Sequence, residues 1–167
     1  RAARNVEGKV ILYADIKNNI LMQPCHILKP GSVTKMIIGN VMWQLQEEGQ
    51  VNIEDPISNY VPDLAANITY GDQITIKMLL NHTSGIYPIA RDLNYNLAVV
   101  NDFTRNWSSE EIIQYFTNKP ATNLPGEKFY YCNTNTLISE LIIESITNEP
   151  LEATLDNKVF NPLGMNN

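Results

Sequence analysis

Apolar positions along the chain fall into two kinds of pattern, a short continuous run near the start and helical spacing further on. Lys9-Val10-Ile11-Leu12-Tyr13-Ala14 is partly β-branched and uninterrupted, which predicts a strand buried on both faces. Asp15 to Asn19 are turn residues, and Ile20-Leu21-Met22 predicts the returning strand of a hairpin. From Ser32 the pattern changes. Val33, Met36, Ile37, Val41 and Leu45 recur at helical spacing, which predicts a helix with one buried face, stopped by Gly49. A second amphipathic helix is predicted from about Asn135 to Thr147 on Leu137, Ile138, Leu141, Ile142 and Ile146.

Start and stop residues supply the shorter elements. Pro56 reads as the first position of a helix, and Tyr60 to Asp63 as a break. Thr75 reads as the cap of a short helix through Leu80, closed by Asn81-His82-Thr83-Ser84-Gly85. Ser108 with Glu111 forms a capping-box signature for a helix that ends before Pro120, and Asn123 to Gly126 is a turn. Pro150 restarts a last helix, which Pro162-Leu163-Gly164 ends. Ile86 to Asn106 has mixed polarity and weak periodicity, so it reads as an irregular excursion over the surface. A two-stranded hairpin is marginal alone, and the helix after Ser32 is the nearest element to cover it.

Composition narrows the class. With 44% hydrophobic and 18% charged residues, the 167-residue chain has enough apolar material for a packed core and is not expected to be disordered. A net charge of −6 without a basic stripe argues against nucleic acid as partner, and no apolar run has the length of a membrane span. Cys25 and Cys132 are too few for a disulfide scaffold or a structural zinc site; they pair, or stay as small buried residues. The chain opens on Arg1 without an initiator methionine or signal-peptide pattern, which suggests a processed chain or a piece of one.

The candidate chemistry sits at the start of the Ser32 helix. Ser32 alone reads as a helix cap. Lys35 changes that reading, because the third position of a first turn favours Glu or Gln, and a cation there opposes the helix dipole. Residues three apart share a face. A lysine against a helix N-terminus and an apolar wall is expected to lose its proton more readily, and can then take the proton of a neighbouring hydroxyl. That pairing is a serine nucleophile with a lysine base.

Further stretches follow in order: Gly31-Ser32-Val33-Thr34-Lys35, the run from Leu45 to Pro56, Ile74 to Gly85, Pro125 to Asn135, and Asn161-Pro162-Leu163-Gly164-Met165. Together they resemble the serine β-lactamase and penicillin-binding protein superfamily, in its class C β-lactamase, D-alanyl-D-alanine carboxypeptidase and esterase branch. The resemblance covers most of the chain from about Lys29. It implies an α/β (α+β) fold of the β-lactamase/transpeptidase type, with residues 1–31 as N-terminal strands, 32–49 as the nucleophile-bearing helix and 50–167 as a helical subdomain. It makes Ser32 the nucleophile, Lys35 its base, and Tyr131 and Asn133 the Y-x-N element that faces them. Tyr131 would relay a proton to the leaving group, and Asn133 would hold the lysine by its carbonyl and the substrate by its NH₂. His82 falls in a structural turn of the family and is expected to brace Thr83-Ser84-Gly85. Cys132 is expected to pack beside the site, and His26 has no neighbour that suggests a metal. No metal or organic cofactor is implied, and the family is usually periplasmic or extracellular.

The family's third motif, Lys-Thr-Gly or His-x-Gly on a late strand, does not follow Tyr131 in this chain. Three explanations compete: a fragment of a full enzyme, a chain completed by a second polypeptide or a second copy, and a truncated relative that no longer catalyses. The first is preferred. The expectation is therefore the N-terminal half of a serine hydrolase that acts on lactam, peptide or ester carbonyls of a small-molecule or peptide substrate. The alternative is a binding or assembly module that keeps the scaffold without the catalysis.

Overall fold

The computed structural model describes residues 2–4, 10–23, 26 and 29–165. Three short strands open the chain, β1 (Ala2–Arg4), β2 (Val10–Asp15) and β3 (Ile20–Leu21), joined antiparallel in that order. β2 and β3 form the expected hairpin. β1 is an addition, because three residues are too few to show a period in sequence. The Asp15 carboxylate starts the turn by accepting from the backbone N–H groups of Lys17 and Asn18 (2.9 and 3.2 Å). Lys9, at the start of the predicted strand, and Cys25 lie outside the described residues.

α1 (Thr34–Glu47) buries Ile38, Val41, Met42 and Leu45. This corrects the predicted face in part, since Val33 and Met36 are exposed (55% and 74%), as is Trp43 (52%). At about 100° per residue these three lie opposite the buried stripe. α1 thus has apolar residues on two sides, and its period alone does not say which side is covered. The helix ends in a Schellman motif. Gln50 N–H donates to the Leu45 carbonyl and Gly49 N–H to that of Gln46 (2.9 and 3.1 Å), with Gly49 at φ +72°.

Val51, Ile53 and Ile57 then enter the core. Pro56 is not helical, contrary to expectation: it is extended (ψ 145°), bridges antiparallel to Thr75, and a single 3₁₀ turn (Ile57–Asn59) begins after it. The predicted break at Tyr60 to Asp63 is partly helical, since α2 (Pro62–Ala65) has Pro62 at its first position. α3 (Ile76–Leu80) is capped as expected, with Thr75 Oγ1 accepting from Met78 N–H (3.3 Å).

The stretch from Ile86 to Asn106 is not irregular throughout. A 3₁₀ turn (Ile89–Arg91) leads into α4 (Leu93–Asn101), capped by Asp92, which accepts from Tyr95 N–H (3.0 Å). No residue of α4 is buried, which explains the weak periodicity. Asp92 also accepts from Lys119 Nζ (2.9 Å), tying this helix to the segment after α5 (Ser109–Ile113). Both halves of the Ser108/Glu111 capping box are formed.

α6 (Asn133–Thr147) is the helix on which α1, α3 and α7 (Leu151–Leu155) pack. It begins two residues earlier than expected and buries Ile138, Ile142 and Ile143 completely. Each such side chain contributes roughly 1.5–3 kcal/mol by leaving water. Asn148 ends it in the left-handed region (φ 54°), with its N–H on the Glu144 carbonyl. Pro150 flanks α7, which continues as one π turn (Asp156–Phe160) and closes before Gly164.

Candidate active site

Ser32 sits in a 3₁₀ turn (Gly31–Val33) that runs into α1, and its hydroxyl caps nothing there. The cap expected from its residue type is replaced by a longer-range bond. Tyr131 Oη donates to Ser32 Oγ at 2.9 Å, across 99 residues of sequence. Lys35, one turn on and half-buried, has its Nζ 5.2 Å from the centroid of the Tyr131 ring. The hydroxyl, the amine and the phenol singled out in sequence are therefore together. Ser32 and Tyr131 remain exposed, so the group is open to a ligand.

Tyr131 lies in the extended lead-in to α6, and the loop after α3 holds it there. Tyr130 N–H donates to the His82 carbonyl (2.8 Å), and Cys132 N–H donates to His82 Nδ1 (3.4 Å). The His82 ring is 4.7 Å from the Tyr131 ring, centroid to centroid, and 6.0 Å from that of Phe129. Deeper in, Ser84 Oγ donates to Asn135 Oδ1 (2.6 Å) and Thr134 Oγ1 donates to the Tyr87 carbonyl (2.9 Å). Thr134 Oγ1 also accepts from Ile89 N–H (2.9 Å). These buried polar side chains all have partners, and they fasten the first turn of α6 to the 82–89 loop.

Asn133 opens α6 and is exposed; among the described residues its side chain makes no hydrogen bond to Lys35. The lysine meets the Tyr131 ring instead. Contrary to expectation, the His82 ring makes no hydrogen bond to its own turn among the described residues; it serves the Tyr131 segment. Thr83 is tied to Asn81 through Asn81 Oδ1 (3.1 Å from its N–H, 2.6 Å from its hydroxyl). Cys132 is buried, with Sγ against the Ile86 and Tyr87 carbonyls (3.8 and 4.0 Å), which is a packing position. His26 accepts from Gln23 N–H through Nδ1 (2.7 Å). Among the described residues no three His, Cys, Asp or Glu side chains gather as a metal site.

The charges follow from this geometry. The Tyr131 phenol is held below its ordinary range, first by the hydrogen bond with Ser32 and then by Lys35. His82 is pushed down by burial and further by the Lys35 cation, which favours the neutral imidazole. His82 and Lys35 line a small cavity of about 30 Å³ with Leu79, Thr136 and Ser139. A larger cavity of about 220 Å³ lies elsewhere, among Trp107, Ile113, Phe116, Leu137 and the carboxylates of Glu140, Glu144 and Glu152. Burial, and then Glu144, pushes the Glu140 carboxyl up to about 7. Sequence reading missed it, although Glu140 and Glu144 stand one turn apart on an amphipathic helix. No helix of the described residues is long and apolar enough to cross a membrane.

Comparison with known proteins gives the chain its relatives. The Beta-lactamase family model matches residues 2–167. The putative penicillin-binding protein PbpX of Bacillus subtilis is 31% identical over 160 residues, 96% of this chain and 37% of that protein. A D-stereospecific amidohydrolase from Streptomyces superposes with a TM-score of 0.77 at 29% identity, over 82% of this chain and 42% of that one. An octameric penicillin-binding protein homologue from Pyrococcus abyssi gives a TM-score of 0.74 at 30% identity, over 92% and 35%. The chain thus spans about a third of the length of curated relatives that it matches.

Proposed function

The chain belongs to the Beta-lactamase family, and on that premise we propose that it carries the nucleophile half of a serine hydrolase acting through an acyl-enzyme. The observation that carries this reading is the bond from Tyr131 Oη to Ser32 Oγ with the Lys35 amine beside the same ring. A hydroxyl, an amine and a phenol with a lowered proton affinity are what acyl transfer needs.

In the proposed cycle Ser32 Oγ attacks a lactam, peptide or ester carbonyl while Lys35 takes the hydroxyl proton. The Ser32 N–H, at the head of the turn leading into α1, is one oxyanion donor. Tyr131 then relays that proton from Lys35 to the departing nitrogen or oxygen as the tetrahedral intermediate collapses, which returns the amine to its free form and leaves an ester on Ser32. Water hydrolyses that ester, releases the acid and restores the hydroxyl. Asn133, at the open end of α6, is assigned to the substrate side of the site. The second oxyanion donor is assigned to polypeptide outside residues 1–167 or to a second copy, consistent with the greater length of the relatives. An extracytoplasmic location is part of the same proposal.

A fluorescent penicillin or an activated ester tests it. One adduct on Ser32 by intact mass and peptide mapping, absent in Ser32→Ala, is the expected result. Labelling that persists in Ser32→Ala, or no adduct in the longest natural form of the protein, counts against it.

A further inference from the structure

We infer that His82 is a positioning residue for Tyr131, acting as a neutral acceptor that clamps the backbone on both sides of the phenol and stacks against its ring. The inference rests on the proposed roles of Ser32 and Tyr131 and adds a residue to them. One residue makes three contacts with one short segment. Its carbonyl takes Tyr130 N–H, its Nδ1 takes Cys132 N–H, and its ring lies 4.7 Å from that of Tyr131. Tyr131, the residue between the two clamped N–H groups, is the one that reaches Ser32.

The chemistry of the clamp fixes the state of the ring. Nδ1 faces two donors, Cys132 N–H and Asn135 Nδ2 (3.1 Å), while Asn135 Oδ1 is already used by the Ser84 hydroxyl. Nδ1 must therefore carry a lone pair and Nε2 the proton. A protonated ring would set N–H against N–H and open the clamp. The groups around the ring are arranged against that: Lys35 from α1 supplies a repelling cation, Leu79 from α3 and Phe129 are apolar, and Tyr131, Asn135, Thr136 and Ser139 bring no carboxylate. The backbone fits the role as well, because His82 sits at φ +60°, a region in which His and Asn are enriched among residues with side chains.

The test uses the full-length protein with ¹³Cζ-labelled tyrosine, Tyr131 being assigned by its loss in Tyr131→Phe. His82→Phe keeps a ring and removes the acceptor; His82→Asn keeps an acceptor near the Nδ1 position and suits the positive φ. In His82→Phe, Tyr131 is expected to titrate upward by roughly half a pH unit or more as it leaves Ser32 and Lys35. Acylation of Ser32 by an activated ester should slow about tenfold or more with little change in KM. His82→Asn should restore both. In the unsubstituted protein, ¹⁵N shifts should show the Nε2-protonated tautomer whether or not the variants fold.

An Nδ1-protonated ring overturns the inference, as does a Tyr131 titration unmoved in folded His82→Phe. The two proposals fail separately. A Tyr131 that responds to His82 in a protein forming no acyl-enzyme keeps the clamp and removes the hydrolase. A Ser32 adduct forming at the same rate in His82→Phe does the reverse.

Discussion

Lys35 Nζ stands 5.2 Å from the centroid of the Tyr131 ring, close enough for the charge that Lys35 carries whenever it holds a proton to favour the phenolate. Lys35→Ala should therefore move the Tyr131 titration up toward its ordinary value of 10.0, while the Ser32 bond keeps part of the depression. Acylation of Ser32 should fall about a hundredfold to ten-thousandfold, the usual contribution of a positioned base. Difference absorbance against Tyr131→Phe reads the first effect, and stopped-flow acylation the second.

Glu140 gives the chain a pH dependence of a definite sign. Its folded carboxyl titrates at about 7 against an ordinary 4.5, so between these values the folded state holds more protons than the unfolded. Stability then falls as pH rises from 4.5 to 7 and levels off above. Glu140→Gln should flatten this limb and stabilise the protein at pH 8 by on the order of 1–3 kcal/mol. Urea midpoints across pH 4.5 to 8 measure both.

Ile142 lies fully buried on the face of α6 that meets the core. Ile142→Ala removes that packing and leaves a cavity, for an expected loss of about 2–5 kcal/mol. Chemical denaturation monitored by far-UV circular dichroism should show the midpoint fall with an unchanged slope.

Gly85 is held at φ +74°, and a Cβ there would stand 2.2 Å from the Asn123 carbonyl oxygen. The neighbour is backbone, and it is pinned because Thr122 N–H donates to the Gly85 carbonyl (2.8 Å). Gly85→Ala should cost about 2 kcal/mol or more. The loop carrying His82 should loosen, seen as faster amide exchange at Cys132.

Much of this arrangement was legible in the residues. Thr75, Ser108 and Gly49 announce element ends through local hydrogen bonding, and each acts as its type suggests. Lys35 was legible because a cation is unusual in the first turn of a helix, whereas Ser32 and Tyr131 stood out only through the ordered motifs that resemble a known family. The failures share a cause in tertiary context. Ser32 gives up a cap for a bond 99 residues away. Pro56 is drawn into an extended bridge with Thr75. α4 shows no clear period because neither of its sides is buried, and α1 shows two stripes of which only one meets α6. The His82 ring serves a segment 50 residues on, which no local pattern encodes.

Among the described residues, five of the seven helices, α1 to α5, lie inside the loop that Tyr131 closes on Ser32. A growing polypeptide owns the serine and the lysine long before it owns the phenol, and closing so wide a loop is favourable only after the helices between have condensed. On the proposed mechanism a nascent chain would stay unreactive at Ser32 until α6 has docked, and an adduct there would report that everything threaded between the two residues has folded.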